Sequence, residues 1–258
     1  MDIITLTSDL GRQTHYSAVL QGIIYTLCPH SRIVDISHQI HCFDLMEAAF
    51  VVKNTYPSFP KGTIHLIAVD PEYGEHSTGI IMCCEDQYFI APDNGVCSLI
   101  AENKEKSCFR IDEKGLAQNF PKSFRPAQVL APAAAFLANG GDIAEIAAPT
   151  EIKELFWGEP TFINNALRGK IIHIDTFGNV ITNIDKSLFL SLKKERNFEI
   201  FLRNIRLRRI VATYSDVGKG EALAIFGSTG YLEIAMRESA AADLLGLKVH
   251  DMITIEFK

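Results

Sequence analysis

The residues with the clearest chemical potential lie in one short segment, residues 175–183, with the sequence DTFGNVITN. A carboxylate, an aromatic ring, a glycine and two carboxamides are crowded together there at the end of a predicted strand. An aromatic ring can stack on a flat base, and a carboxylate can bind an ammonium group. We therefore expect this segment to bind a small ligand that has both groups.

Two further aspartates follow predicted strands in the first half of the chain. Asp9 comes just after the strand at residues 3–7, and Asp70 follows the apolar strand at residues 63–69. Open α/β sheets bind their ligands at the carboxyl ends of the strands, where a carboxylate can accept both hydrogen bonds of a ribose diol. Capping of a helix or a turn explains Asp9 equally well, and aspartates like Asp70 also pin turns. Position alone leaves both functions open.

Other polar groups give weaker signals. Arg125 lies between an aromatic residue and a proline before a predicted helix, and an exposed surface arginine is the simpler interpretation. Residues 227–230, with the sequence GSTG, have too few glycines and no lysine for a phosphate loop, although their backbone and Ser228 could hold a carboxylate. His38 and His41 have no third ligand at metal spacing, and we expect no metal site.

Charge and composition exclude several classes of protein. A net charge of −6 gives no reason to expect nucleic acid or an anionic membrane as a partner. Charged and apolar residues alternate over residues 205–208, which predicts a strand with one wet face and not a nucleic-acid patch. No apolar run is long enough to cross a bilayer, and the N-terminus has no secretory signal. The six cysteines lack C-x-x-C spacing, which indicates buried thiols in the reducing cytoplasm.

The elements that must position these residues fall into two groups. Residues 1–150 alternate strands and helices, which predicts an α/β domain with a mostly parallel sheet and helices on both faces. The periodicity weakens over residues 151–168, which form the predicted linker. Residues 169–258 contain short strands at close spacing, which predicts a small C-terminal β barrel.

Together these segments resemble the S-adenosylmethionine hydroxide adenosyltransferase family, which is related to the bacterial fluorinase and chlorinase. The resemblance covers essentially the whole chain. It implies hydrolysis of S-adenosylmethionine to adenosine and L-methionine, with no cofactor beyond that substrate, by a homotrimer whose sites lie at subunit interfaces. It rests on ordered blocks at residues 5–11, 34–38, 59–63, 69–71, 91–95, 131–133, 175–183 and 230–235.

The resemblance also implies roles for individual residues around the nucleoside. Asp9 matches the family aspartate on the ribose hydroxyls, and Phe43 falls where the halogenases have a tryptophan against the ligand. Phe177 and Tyr214 match the aromatic pair that sandwiches adenine. Asn179 matches a position that contacts the base.

Asp175 and Ser228 match family positions at the methionine end of the ligand. These assignments imply that the binding half of the site is mostly present in this chain. The set of predicted substrate-binding residues is completed by Tyr16, Phe124, Thr229 and Glu238.

The reacting end departs from the family pattern. The family reads Asp-Pro-Gly-Val-Gly followed by two arginines, whereas Ser77 takes the first arginine position here. The family sequence Phe-His-Gly-Arg-Asp becomes FRPAQ at residues 124–128, so that Arg125 replaces a histidine, and Thr14 replaces an aspartate in the first loop. Of the Asp, Arg and His that the family uses, Asp70 alone is at its expected position.

We predict a rearranged catalytic group in which Asp70 stays, Arg125 supplies the guanidinium and His76 supplies the imidazole. The alternative is a catalytically impaired protein that still binds S-adenosylmethionine or adenosine, with His76 as an exposed loop residue. A halide adenosyltransferase is the least favoured hypothesis, because Pro126 replaces the small or hydroxyl residue that lines the halide site of the halogenases.

Overall fold

The computed structural model describes residues 3–70, 78–116 and 124–258. It consists of two compact units, Met1–Phe156 and Trp157–Lys258. The first unit contains a seven-stranded sheet in the order β2-β1-β3-β5-β4-β6-β7. The pairing directions make five of its strands run the same way, and β4 and β7 run opposite to them. The strands are β1 Ile3–Ser8, β2 Arg32–Ser37, β3 Ile64–Ala68, β4 Gly79–Cys84, β5 Gln87–Pro92, β6 Ser107–Ile111 and β7 Ala147–Pro149.

Helices cover both faces of this sheet because its central strands are apolar on both sides. Ile4 and Leu66 belong to the same core cluster as residues of α1 and α5. On the opposite face, the ring of His65 stacks on Phe89, and both rings contact Tyr56, which follows α2 directly. The helices are α1 Tyr16–Leu27, α2 Leu45–Thr55, α3 Val96–Ile100, α4 Glu113–Leu116, α5 Ala131–Ala138 and α6 Ile143–Ile146, with a 3-10 turn at Tyr56–Ser58 and a π-helical turn at Pro126–Leu130.

The second unit is a barrel-like antiparallel sheet in the order β12-β11-β15-β9-β10-β14-β13, with β8 paired to β9. It is nearly closed, because Val211, which lies beyond β12, forms a bridge to Ile225 of β13. Phe189, Ile171 and Leu232 are among the buried residues of its core. The elements are β8 Thr161–Ile163, β9 Ala166–Ile174, β10 Val180–Asp185, α7 Lys186–Lys193, β11 Phe198–Leu202, β12 Ile205–Leu207, β13 Ala222–Phe226, β14 Tyr231–Met236, α8 Ala241–Leu245 and β15 Met252–Phe257, with a 3-10 turn at Tyr214–Asp216.

The predicted fold class, an α/β domain followed by a small β barrel, is therefore confirmed. Two barrel strands, β8 and β10, were not among the predicted strands, and β10 lies in the segment singled out for its chemistry. Within the described residues, no helix combines the length and the apolar character needed to cross a bilayer. The same part of the chain contains no group of three or more His, Cys, Asp or Glu side chains that could hold a metal ion.

Candidate functional site

Asp9 contacts two other predicted site residues of the first unit, Phe43 and Asp70. Its Oδ2 atom accepts the backbone N–H of Phe43 at 3.0 Å and the backbone N–H of Asp70 at 3.1 Å. Phe43 and Asp70 both adopt left-handed backbone conformations, with φ of 67° and 46°. Such conformations are strained for residues other than glycine and persist only where their surroundings hold them. Asp9 thus has a structural function in two turns, in addition to its predicted contact with ribose.

His38 fixes the loop that presents Asp9. Its Nδ1 atom lies 2.7 Å from the hydroxyl of Ser8, and its carbonyl accepts the N–H of Gly11 at 2.8 Å. Its Nε2 atom lies 3.1 Å from Asp35 Oδ1. The side chain is only 2% exposed, so His38 is a buried positioning residue of the loop after β2. The turn after β1 is therefore held from two directions.

Tyr16, Phe124 and Arg125 are further predicted site residues of the first unit. The rings of Tyr16 and Phe124 are 4.9 Å apart, which makes a small aromatic surface at the start of α1. The guanidinium of Arg125 forms a close ion pair with Glu113 and donates a hydrogen bond to Gln128 Oε1 at 3.3 Å. Glu113 was not expected from the sequence. His76, the remaining predicted catalytic residue, lies outside the described residues.

The second unit contains a pocket of about 660 Å³, which we call the barrel pocket. Ser215, Met236, Arg237, Ser239 and Ala240 contribute to its walls. The Phe177 side chain is 76% exposed, so its ring is available for stacking. The pocket brings together five of the residues predicted to bind substrate, namely Asp175, Phe177, Asn179, Tyr214 and Glu238.

Asp175 organises the turn between β9 and β10. Its Oδ1 atom accepts the backbone N–H groups of Phe177 at 2.9 Å and Asn179 at 2.8 Å, and its Oδ2 atom accepts the Asn179 side-chain amide at 2.9 Å. Gly178 permits this turn because its φ is 77° and a Cβ atom there would lie 2.6 Å from the Cβ of Ala240. Asp175 and Asn179, predicted as separate ligand contacts, are therefore joined by a hydrogen bond.

Tyr214 is anchored to a buried carboxylate that the sequence had not suggested as a site residue. Its hydroxyl donates a hydrogen bond to Glu233 Oε1 at 2.6 Å. Burial raises the pKa of Glu233 and the nearby Asp175 raises it further, whereas the hydrogen bond from Tyr214 opposes both effects. The pKa of Tyr214 is also raised, first by burial and then by Glu233. A glutamate in the middle of an otherwise apolar strand was the only sequence signal for this residue.

The other predicted residues of the second unit lie near these groups. Ser228 and Thr229 are in the turn between β13 and β14, and Gly227 of the same turn packs against Glu233 Oε2. Neither Ser228 nor Thr229 is among the described residues that line the barrel pocket. Glu238 lines it and forms an ion pair with Lys219 at 2.7 Å.

These geometries fit binding better than they fit a particular reaction. The second unit offers aromatic rings, a carboxamide and carboxylates, which suit a flat heteroaromatic base and a cationic group. The first unit offers a carboxylate at the end of a central strand, where an α/β sheet commonly binds a sugar or a phosphate.

Comparison with known proteins matches the chain to two domains of one family. The chain matches the family described as SAM hydroxide adenosyltransferase, with the N-terminal domain at residues 4–147 and the C-terminal domain at residues 169–254.

The relatives include "(R)-S-adenosyl-L-methionine hydrolase" of Methanocaldococcus jannaschii, 27% identical over 99% of this chain and 96% of that protein. "Fluorinase" of Actinoplanes sp. is 24% identical over 98% of this chain and 97% of that protein. A crystal structure of an uncharacterized conserved protein from Thermotoga maritima is 31% identical, covers 98% of this chain and 99% of that one, and superposes with a TM-score of 0.89. Both family domains, in order and over most of the chain, make this protein a member of the SAM hydroxide adenosyltransferase family.

Proposed function

We propose that this protein hydrolyses S-adenosyl-L-methionine to adenosine and L-methionine. The single observation that supports this most is the barrel pocket, in which Asp175, Phe177, Asn179 and Tyr214 line one cavity. S-adenosyl-L-methionine consists of a base, a sugar and an amino acid that carries both an ammonium and a sulfonium group. Binding it needs this mixture of aromatic and anionic side chains. Membership of the family, and relatives named as hydrolases of this substrate, support the same conclusion.

The reaction is an in-line displacement at C5′ of the ribose. The oxygen of water forms a bond to C5′, the bond from C5′ to sulfur breaks, and its electron pair neutralises the sulfonium to give the methionine thioether. The water gives up a proton to a base. Because hydroxide and sulfonium lose their charges along this path, a pocket that excludes bulk water favours the reaction. The protein must therefore position the nucleophile, hold the ribose and keep the site dry.

The proposed binding roles are those that the family resemblance implies. Phe177 and Tyr214 hold the adenine ring, and Asn179 binds its edge. Asp175 binds the ammonium group of the methionine portion. Asp9 binds the ribose hydroxyls. The remaining predicted residues, which complete the walls around the ligand, are Tyr16, Phe43, Phe124, Ser228, Thr229 and Glu238.

The catalytic proposal is that Asp70, Arg125 and His76 act together on water. An aspartate with an ordinary pKa of about 3.9 is a weak base, and arginine has no acceptor and cannot take a proton. Arg125 is held in place by Glu113 and Gln128, and in this proposal its guanidinium stabilises hydroxide. Histidine is the residue type whose ordinary pKa suits proton transfer near neutral pH, so the proposal assigns that step to His76.

Replacement of His76 by alanine tests this assignment. We expect His76→Ala to lower the rate of adenosine release by roughly 100-fold or more, the usual contribution of a general base. His30→Ala, which removes an exposed histidine beside Cys28 in the same unit, is the matched control and should leave the rate unchanged. An unchanged rate in His76→Ala would remove His76 from the mechanism.

The assembly is also part of the proposal. We propose a homotrimer with a site at each subunit interface, formed by the α/β domain of one subunit and the barrel of the next. Phe43 and Phe177 are 64% and 76% exposed, and a neighbouring subunit with bound ligand would cover them. Light scattering should then give a mass about three times 28.7 kDa. A mass equal to one chain would refute the shared site.

The rest of the proposal concerns the location, cofactors, partners and domain boundaries of the protein. We propose a cytoplasmic enzyme with no cofactor beyond S-adenosylmethionine and no nucleic-acid or membrane partner. The division into a domain at 1–150, a linker at 151–168 and a barrel at 169–258 stays a prediction.

A second function, binding without turnover, is favoured by one observation. Arg125 stands where the family pattern has a histidine, and its guanidinium is engaged by Glu113. Incubation with S-adenosylmethionine, with and without chloride, and chromatography of the products would separate the functions. Adenosine would support hydrolysis, and tight binding without product would support the binder. A product 5′-chloro-5′-deoxyadenosine would support a halide adenosyltransferase, which the buried Pro126 disfavours.

A further inference from the structure

We propose that Glu233 is a positioning residue of the barrel pocket, because it fixes the ring of Tyr214 before any ligand binds. Glu233 lies on β14, and the hydrogen bond from Tyr214 joins this strand to the 3-10 turn at Tyr214–Asp216. That the ligand is S-adenosylmethionine rests on the proposed function. The hydrogen bond and its effect on the ring do not depend on that assignment.

Tyr214 needs such an anchor because it lies outside the sheet. Its turn is held at the start by the side chain of Thr213, which hydrogen-bonds Asp216 Oδ1 at 2.9 Å, while Asp216 Oδ2 accepts the N–H groups of Ala212 and Thr213. These contacts fix the backbone but leave the direction of the Tyr214 ring open. The side chain is 44% exposed, whereas its hydroxyl reaches the buried carboxylate at 2.6 Å.

The strand neighbours of Glu233 are apolar and do not explain why a carboxylate lies at this position. In the sheet it pairs with Ile181 of β10 and Ile225 of β13, and it is 6% exposed. A buried carboxylate is costly unless it has hydrogen-bond partners. An apolar residue would suit these neighbours better, so the structure points to a function for the charge or the oxygen atoms.

Both oxygen atoms of Glu233 have a defined place. Oε1 accepts the hydrogen bond of Tyr214, and Oε2 faces Gly227, where a Cβ atom would lie only 2.6 Å away. Any larger residue at position 227 would displace the carboxylate. Glu233 is thus held against the turn between β13 and β14, and it holds Tyr214 in turn.

An ordered ring binds a flat ligand better than a mobile one. Immobilising a side chain on binding weakens affinity by roughly three- to tenfold. Glu233→Ala and Tyr214→Phe should each weaken binding of S-adenosylmethionine and of adenosine by this factor. Since both remove the same hydrogen bond, the double variant should be no weaker than either single variant.

Glu233→Gln is the conservative variant that separates geometry from charge. Its amide oxygen can accept the Tyr214 hydroxyl, so we expect its affinity for both ligands to be close to that of wild type. A large loss for S-adenosylmethionine but none for adenosine would mean that the negative charge binds the ligand's cationic end, and would overturn the positioning function. Additive losses in the double variant would overturn it as well.

A measurement without ligand separates this inference from the proposed function. Nuclear magnetic resonance of tyrosine-labelled protein, with the Tyr214 signal assigned by Tyr214→Phe, reports the order of the ring directly. We expect one ordered ring conformation in wild type and Glu233→Gln, and rotational averaging in Glu233→Ala. An equally ordered ring in Glu233→Ala would refute the inference, even if the protein binds neither ligand. Should Glu233→Ala fail to fold, Tyr214→Phe still provides the affinity test.

Discussion

The hydrogen bonds from Phe43 and Asp70 to Asp9 predict that this side chain stabilises the first unit as well as the ligand. Asp9→Ala removes the acceptor of two backbone N–H groups at 3.0 and 3.1 Å and releases two left-handed turns. Asp9→Asn keeps one oxygen in the same place. It replaces the other oxygen by an amide that cannot accept a hydrogen bond from ribose.

The magnitude follows from the two bonds. A hydrogen bond to a charged group contributes about 1.5–3 kcal/mol, and the lower end applies because Asp9 is partly exposed. Asp9→Ala should therefore lower the free energy of unfolding by about 3 kcal/mol, and Asp9→Asn by about 1 kcal/mol. For a unit of this size, each kcal/mol shifts the melting temperature by roughly 2–4 °C.

Thermal and urea unfolding of the three proteins measure the difference. Asp112→Ala is the matched control, because Asp112 accepts a single backbone N–H in an exposed position and should cost less than about 1 kcal/mol. Asp9→Asn should keep most of the stability and yet bind the nucleoside poorly. Equal stability of Asp9→Ala and wild type would refute the structural function, and equal losses in both Asp9 variants would assign it to charge and not to the acceptor.

The remaining predictions concern the ligand ring and the pH dependence of folding. Phe177→Ala should raise KM with little change in kcat, because in the proposed site the ring would bind substrate and transition state alike; a fall in kcat alone would contradict this. Burial lowers the pKa of His65 to about 4, so the unfolded chain binds the proton first. The free energy of unfolding should fall by up to about 3 kcal/mol as the pH drops from about 6.5 to 4, and His65→Gln should abolish that slope. Hydrogen bonds from Lys258 and Arg208 lower the pKa of Glu199 to about 2. The contribution of Glu199 to the free energy of unfolding is therefore complete above about pH 4.5 and is lost as the pH falls through 2. Acid unfolding of Glu199→Gln should lack this component.

The fold was predictable because the two domains have different local patterns. Apolar strands alternating with helices gave the α/β domain, and short alternating strands gave the barrel. β10 was missed because Thr182 and Asn183 look like ligand contacts in the sequence. In the structure both are buried, and they donate hydrogen bonds to the carbonyls of Leu232 and Gly158. Polar residues satisfied inside a strand cannot be told from exposed ones by periodicity.

The structure brings several of the predicted site residues together, but the contacts among them could not be predicted from the sequence. The segment at 175–183 identified Asp175, Phe177 and Asn179, which share one turn and line the barrel pocket. The hydrogen bond from Asp70 to Asp9 joins residues 61 positions apart, and that from Tyr214 to Glu233 joins residues 19 positions apart. Such pairs have no local sequence signal, because the intervening chain decides which side chains meet.

The most direct test of the proposed reaction is incubation with S-adenosylmethionine in oxygen-18-labelled water, followed by mass spectrometry of the products. Attack of water at C5′ predicts equal amounts of L-methionine and adenosine, with the label in the 5′ oxygen of adenosine. The same label should be absent from L-methionine. Unchanged S-adenosylmethionine in the presence of stoichiometric binding, or adenosine without the label, would contradict the account.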